Sequence, residues 1–502
     1  MRSKRAILNV MWALALQVVT VICGFIVPKY IISAYGSEVN GLVSSITQFL
    51  GYIVLLEAGF GPVVKAALYK PIANKNKQEI ENILKASEKF FRVISVIFVI
   101  YIIILAFVYP LIVNTEFSFI YIMSLVVIIS ISTLAEYYFG ITYKLYLQAD
   151  QKNYITSVIQ IAGYILNTIS MVVLIKFNAS IHVVRIVGGL IFVLRPIAQN
   201  IYVKKKYKIN LKDADKDYTL KQKWDGLAQH IASVIHSNTD IIILTLFSNM
   251  AEVSVYSVYY LVVRGIKSLM QSFIGGIDSY FGDMIAKQEN KQIDRNYSVF
   301  EVFYFTIATV VFATTMILIT PFIKVYTQGI TDTNYIRYTF GYLLVISEFI
   351  WSIRQPYNEL VKAGGHFKET QIGAWLEAGI NIIISLILVN KFGIVGVAIG
   401  TIIAMLFRTV EFVYYTSKHV LYRKVWISTK KILIVVLQTL IILCIMHYVP
   451  SAEIISYKSW IIQALITLAI SGVVVLGMNL VIYKKEMGAI FDLVKTNLKH
   501  GK

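Results

Sequence analysis

Apolar residues run for about twenty positions at a time along the whole chain, separated by short polar connections, and each run is long enough to cross a hydrocarbon core of ~30 Å as a helix. The runs predict helices over 6–33, 39–66, 90–113, 117–147, 151–176, 180–203 and 226–249, then over 251–285, 297–323, 334–363, 367–390, 392–416, 428–449 and 458–483. This pattern is that of an all-α membrane protein with about fourteen transmembrane helices. Connections such as Lys176 to Ser180 and Ser248 to Glu252 are too short for a catalytic domain. Met1 to Arg5 precede an apolar run that contains Pro28 and Lys29 and lacks a small-residue cleavage signal, so the run reads as a retained first span and not a signal peptide.

Sliding the chain against itself brings its two halves into correspondence at an offset near 214 residues. Glu38 and Val39 match Glu252 and Val253, Ala149 matches Ala363, and Asn167 matches Asn381; with one-residue slips, Arg195 pairs with Arg408 and Tyr202 with Tyr415. An offset of six spans preserves orientation, which gives a parallel repeat around an axis along the membrane normal, with its halves facing a central cavity. The expected organisation is an N-terminal six-helix bundle over 1–203, a cytoplasmic linker over 204–225 and a second six-helix bundle over 226–416. Two additional helices over 417–483 and a cytoplasmic tail over 484–502 complete it.

Composition removes several classes. With 57% hydrophobic and 15% charged residues the chain is no soluble domain. The net charge of +19 does not imply nucleic acid, because the Lys and Arg fall mostly in alternate short connections. That asymmetry places both termini in the cytoplasm. Cys23 and Cys444 lack the spacing of a metal site or disulfide framework, and His230 and His236, six apart, do not share a helical face as zinc ligands would. The Asp213-Ala-Asp215-Lys-Asp217 run lacks the glycine and distant glutamate of a calcium loop and reads as a solvated linker. No metal, cofactor or catalytic residue is expected.

The segment from Pro28 to Leu42, including Gly36 and Gly41, and the Glu57-Ala-Gly59-Phe-Gly61 run resemble the Wzx-type polysaccharide flippases of the multidrug, oligosaccharidyl-lipid and polysaccharide exporter superfamily. The stretch from Asp240 to Ser257 is similar to the start of that family's second half. The resemblance covers nearly the whole chain, through hydrophobic and glycine patterns without a reactive residue. It implies translocation of an undecaprenyl-pyrophosphate-linked oligosaccharide repeat unit across the cytoplasmic membrane for capsule, O-antigen or exopolysaccharide assembly. The partners it implies are that lipid-linked glycan, membrane lipids, and the polymerase and glycosyltransferases of the same pathway.

Ionisable side chains deep in a bilayer cost ~3 kcal/mol each and face a cavity or one another. Arg264, Lys267 and Arg354 lie nearest the middle of their spans, and Lys65 and Lys29 would extend a positive track toward the two faces; together they are the candidate substrate-binding residues for a pyrophosphate. The alternative is that these cations pair with buried acids such as Glu57, Asp240, Asp278 or Glu348 and hold helices together. Glu57, Asp240, Glu136 and Glu348 are candidates for ion coupling, since a buried carboxylate can change charge with access. Arg195 and Arg408 read as snorkelling anchors near span ends, and Gly393, Gly396 and Gly400 as a small-residue surface for close helix contact. A drug or small-molecule exporter of the same superfamily is the alternative within transport, though buried cations disfavour a cationic substrate. A membrane-bound sugar polymerase or transferase would need a large loop or catalytic domain that the chain lacks.

Overall fold

The computed structural model describes residues 2–500 except 58, 212–213, 216–217, 221–226, 276, 288–289 and 450–453, and every regular element among them is helical. In chain order these are α1 (Arg2–Tyr35), α2 (Ser37–Gly51), α3 (Val54–Glu57), α4 (Phe60–Ala73), α5 (Lys77–Ile112) and α6 (Phe119–Ala135). A π-helical turn (Glu136–Gly140) then leads into α7 (Ile141–Ala149), α8 (Asn153–Lys176), α9 (Ile181–Tyr207), α10 (Leu227–Phe247), α11 (Met250–Ser272) and α12 (Ile277–Ala286). The last are α13 (Asn290–Tyr326), α14 (Tyr338–Ala363), α15 (Gln371–His419), α16 (Val425–Tyr448), α17 (Tyr457–Ile482) and α18 (Lys484–His500). Asp213 and Asp217 of the acidic run, and the side chains of His230, His236 and Asp278, lie outside what is described.

Among the described residues ten helices are long and apolar enough to cross a membrane. One of them, α15, is two legs: Gly393 has φ 53° and ψ −130°, where an L side chain is strained, and breaks the helix at the boundary the apolar runs predict. With α10, the α11–α12 pair and α14, helices fill all fourteen predicted positions. The two legs of α15 approach closely, because a Cβ at Gly396 would collide with the Leu388 carbonyl and one at Gly400 with Ser385. The predicted small-residue surface is therefore an intrahelical elbow.

Two details depart from the predicted spans. The single helix expected over 39–66 is three pieces, with Gly59 in the left-handed region at φ 80° before α4, which runs on to Ala73. Residues 484–500 of the predicted tail form α18, whose Met487 is buried and whose Glu486 accepts a hydrogen bond from Ser298 of α13 at 3.1 Å.

The chain divides into two compact units, Met1–Ser257 and Val258–Lys502, with the boundary inside α11. In the first unit α8 packs on α1 and α9, and α6 on α5 and α9. Helix α2 lies on α10 and on the start of α11. Gly41 permits that approach, since a Cβ there would collide with the Met250 main chain. The contact is polar: Asn40 donates to Ser254 at 2.8 Å, Ser45 and Thr245 share a hydrogen bond of 2.6 Å, and Gln48 bonds Asn238. Hydrogen bonds of this kind hold helices together where lipid gives no hydrophobic drive. Asn40 and Ser254 are 214 positions apart, the offset at which the sequence matches itself.

In the second unit α13 packs against α14, α16, α17 and α18. Its Glu301 is completely buried and accepts from Lys431 of α16 at 2.6 Å, from Arg423 at 2.9 Å and from Tyr357 of α14. Arg423 stands in the connection between α15 and α16. Burial would lower its pKa, but the Glu301 carboxylate more than offsets this and raises it, so the guanidinium stays charged. Farther along, Gln438 donates to Asn479, which donates to Thr306, tying α16, α17 and α13 together. The residues matched at that offset stand at helix ends and helix contacts. Ala149 ends α7 and Ala363 ends α14, while Asn167 lies against Gly188 of the next helix and Asn381 donates to Thr401 of the next leg at 2.9 Å.

Candidate functional site

Two groups of charged residues inside the helical bundles bring together most of the predicted site residues. The first is a polar cleft of about 330 Å³ in the first unit, lined by Glu57, Lys65, Glu136, Tyr137, Lys144 and Gln148 among others. Glu57 ends α3 and Lys65 lies one turn into α4, so the left-handed Gly59 between them turns both toward α7. The π-helical turn supplies Glu136 and Tyr137. A π turn inserts an extra residue and re-aims the side chains after it, and such turns are frequent at functional sites. It fits against α9 because Gly140 lacks a Cβ, which would strike Pro196.

Within the cleft Tyr137 donates to Glu57 at 3.3 Å and Lys144 lies 3.6 Å from Glu136. The aromatic rings of Phe91 and Tyr137, 6.5 Å apart, back the site. The cleft thus carries two carboxylates and two ammonium groups beside water-accessible volume, an arrangement that can bind an anion or exchange a proton. Lys144, Tyr137 and Gln148 were not singled out from the sequence. Lys144 stands where the fourth predicted span meets its connection, which makes it look like an ordinary positive-inside residue.

The second group is a chain of ion pairs through α11, α14 and α15. Lys267 lies 3.0 Å from Glu348 and 4.2 Å from the Trp351 ring centre. Arg354, six residues after Glu348, pairs with Glu377 at 2.5 Å. Glu377 also lies 3.7 Å from Arg408, which pairs with Glu411 at 2.5 Å and donates to the Thr370 carbonyl at 2.8 Å. Gly373 makes room, since a Cβ there would overlap the Arg408 and Glu411 side chains. Arg408 is only 3% exposed, so it is no snorkelling anchor. Arg195 of α9 packs over the Phe192 and Tyr164 rings. Glu377 was missed, although an acid inside an apolar run is the same signal that selected Glu348.

The other predicted residues fall elsewhere. Arg264, three positions before Lys267, is exposed. Asp240 is buried on α10 and accepts from Tyr256 at 2.8 Å. Lys29 is half-buried on α1, away from the cleft lining. Among the described residues no group of three or more His, Cys, Asp and Glu side chains is placed to hold a metal ion.

No family model and no curated relative matches the sequence. Solved structures do match. The lipid II flippase MurJ in its inward closed conformation aligns with a TM-score of 0.69 at 16% identity, over 96% of this chain and 100% of that one. An inward-facing multidrug resistance MATE family transporter of the MOP superfamily aligns with a TM-score of 0.59 at 13% identity, over 82% of this chain and 98% of its own. The MATE multidrug transporter DinF-BH aligns with a TM-score of 0.56 at 16% identity, over 83% and 97%. The chain is a multi-pass membrane protein with the fold shared by MurJ and the MATE transporters, and it accounts for the flippase from end to end.

Proposed function

We propose that the chain is a flippase for a lipid-linked oligosaccharide, carrying an undecaprenyl-pyrophosphate-linked repeat unit across the cytoplasmic membrane for surface polysaccharide assembly. One observation carries the reading. The lipid II flippase structure is matched over 96% of the chain, whereas the MATE transporter structures are matched over 82–84% of it. The charge inside the bundles fits an anionic lipid headgroup better than a cationic drug. Lys65 and Lys144 face open volume, and Arg264 adds an exposed cation in the second unit. Both termini then lie in the cytoplasm, 1–203 and 226–416 act as the two six-helix bundles, and glycosyltransferases and a polymerase act before and after the flip.

Lys65 and Lys144 serve as substrate contacts in the first unit and Arg264 in the second, and Lys29 is a further contact on α1. Lys267 and Arg354, already paired with Glu348 and Glu377, hold the second unit in register and exchange partners as substrate passes. Glu57 and Glu136 are the preferred coupling carboxylates because they open onto the cleft; Asp240 and Glu348 are secondary. The test is surface polysaccharide measured beside membrane protein level in Lys65→Ala, Lys144→Ala and Arg264→Ala, singly and combined. Export should fall at least tenfold in the combined variant at normal protein level. Undiminished export in that variant would remove the cationic-path mechanism.

A further inference from the structure

A second basic feature lies on α5, outside both charged groups above. Lys85, Lys89 and Arg92 follow one another at intervals of four and three residues, which puts them on one helical face. They line a groove of about 580 Å³ together with Glu88, Val93, Val96 and Ile97. Glu88 holds two of the cations in place, Arg92 at 2.8 Å and Lys85 at 3.9 Å, and the Arg92 guanidinium lies 5.5 Å from the exposed Tyr138 ring. Lys89 is exposed and makes no ion pair among the described residues. Three cations against one acid leave the groove positive.

Beyond the groove the same face of α5 is apolar and exposed through Val96, Ile100, Ile103, Phe107 and Leu111, spaced by three and four residues. In a membrane span such a stripe faces acyl chains. The ligand that matches a positive groove at one end of an acyl-facing stripe carries a phosphate headgroup and hydrocarbon tails on one molecule. We infer that the α5 groove is a binding site for an anionic phospholipid of the surrounding leaflet, with the phosphate against Lys89 and Arg92 and a chain along Val93, Val96 and Ile100. The lipid is a resident of the protein surface and not the transported molecule. Ordinary snorkelling would bring the same cations to the interface but would select no headgroup.

The test uses the full chain purified in detergent, mixed with equal amounts of phosphatidylglycerol and phosphatidylcholine, with bound lipid counted by native mass spectrometry. Wild type should retain phosphatidylglycerol about tenfold over phosphatidylcholine. Lys85→Gln/Lys89→Gln/Arg92→Gln should lose most of that preference. Lys89→Glu, which disturbs no ion pair, should lose a large part of it at an unchanged melting temperature, and decides the matter if the triple variant fails to fold. Lys205→Gln/Lys206→Gln on α9 removes exposed charge elsewhere and should leave the preference intact. Equal retention of the two lipids, the same loss in the α9 variant, or displacement of phosphatidylglycerol by an added polyprenyl pyrophosphate would each overturn the assignment. None of these outcomes depends on transport activity.

Discussion

At the scale of single residues, position in the sequence marked several interior charges but misplaced Arg264, which is exposed, and Lys144, which lines the cleft, and it did not pair cation with partner. Lys267, Glu348 and Arg354 were legible as interior charges because each interrupts an apolar run. Their pairing was not, because Lys267 and Glu348 are 81 positions apart and Arg354 and Glu377 are brought together only by the turn between α14 and α15. The distinction has consequences. Removing Arg354 strands Glu377 in a buried site, and breaking such a pair costs about 3–5 kcal/mol. Although Arg408 remains 3.7 Å from Glu377 and softens the loss, Arg354→Ala should lower the melting temperature in detergent by several degrees. Glu377→Gln introduced with it should restore part of that loss. Arg264→Ala, at an exposed position, should leave melting unchanged. Equal melting temperatures for wild type and Arg354→Ala would show the pair to be mechanically idle.

At the scale of elements, apolar run length located nearly every helix, and the failures have a common cause. Backbone irregularities cost no hydrophobicity. The breaks at Gly59 and the π turn over Glu136–Gly140 lie inside runs that read as continuous, yet they are what turn Glu57, Lys65 and Tyr137 into one cleft. The break before Gly393 was legible because Asn390 and Lys391 interrupt the run there. At Gly393 a side chain would meet a strained backbone conformation, which costs about 1–3 kcal/mol. Gly393→Ala should therefore lower the melting temperature, while Gly379→Ala, with open space around its Cβ position and no positive φ, should not. Identical melting of the two variants would mean that the elbow adapts without strain.

At the scale of the whole molecule, an offset of 214 was read from scattered matches, and Asn40 and Ser254, the same number of positions apart, hydrogen-bond each other within the first unit. In the proposed flippase these two residues belong to opposite halves of the proposed repeat, so alternating access would have to open the seam they form. With Cys23 and Cys444 changed to Ser, oxidising Asn40→Cys/Ser254→Cys should arrest polysaccharide export and reductant should restore it; export that continues with the bond closed would show the seam to be static. The substrate was not legible at this scale, because no reactive motif in the sequence marks it. The most direct measurement is therefore translocation itself. Purified protein in liposomes loaded on one leaflet with a polyprenyl-pyrophosphate-linked oligosaccharide should make the glycan accessible to a membrane-impermeant glycosidase on the other side, at a rate that falls at least tenfold in the Lys65→Ala/Lys144→Ala/Arg264→Ala variant. A rate no higher than that of protein-free liposomes, from protein that melts cooperatively, would contradict the account.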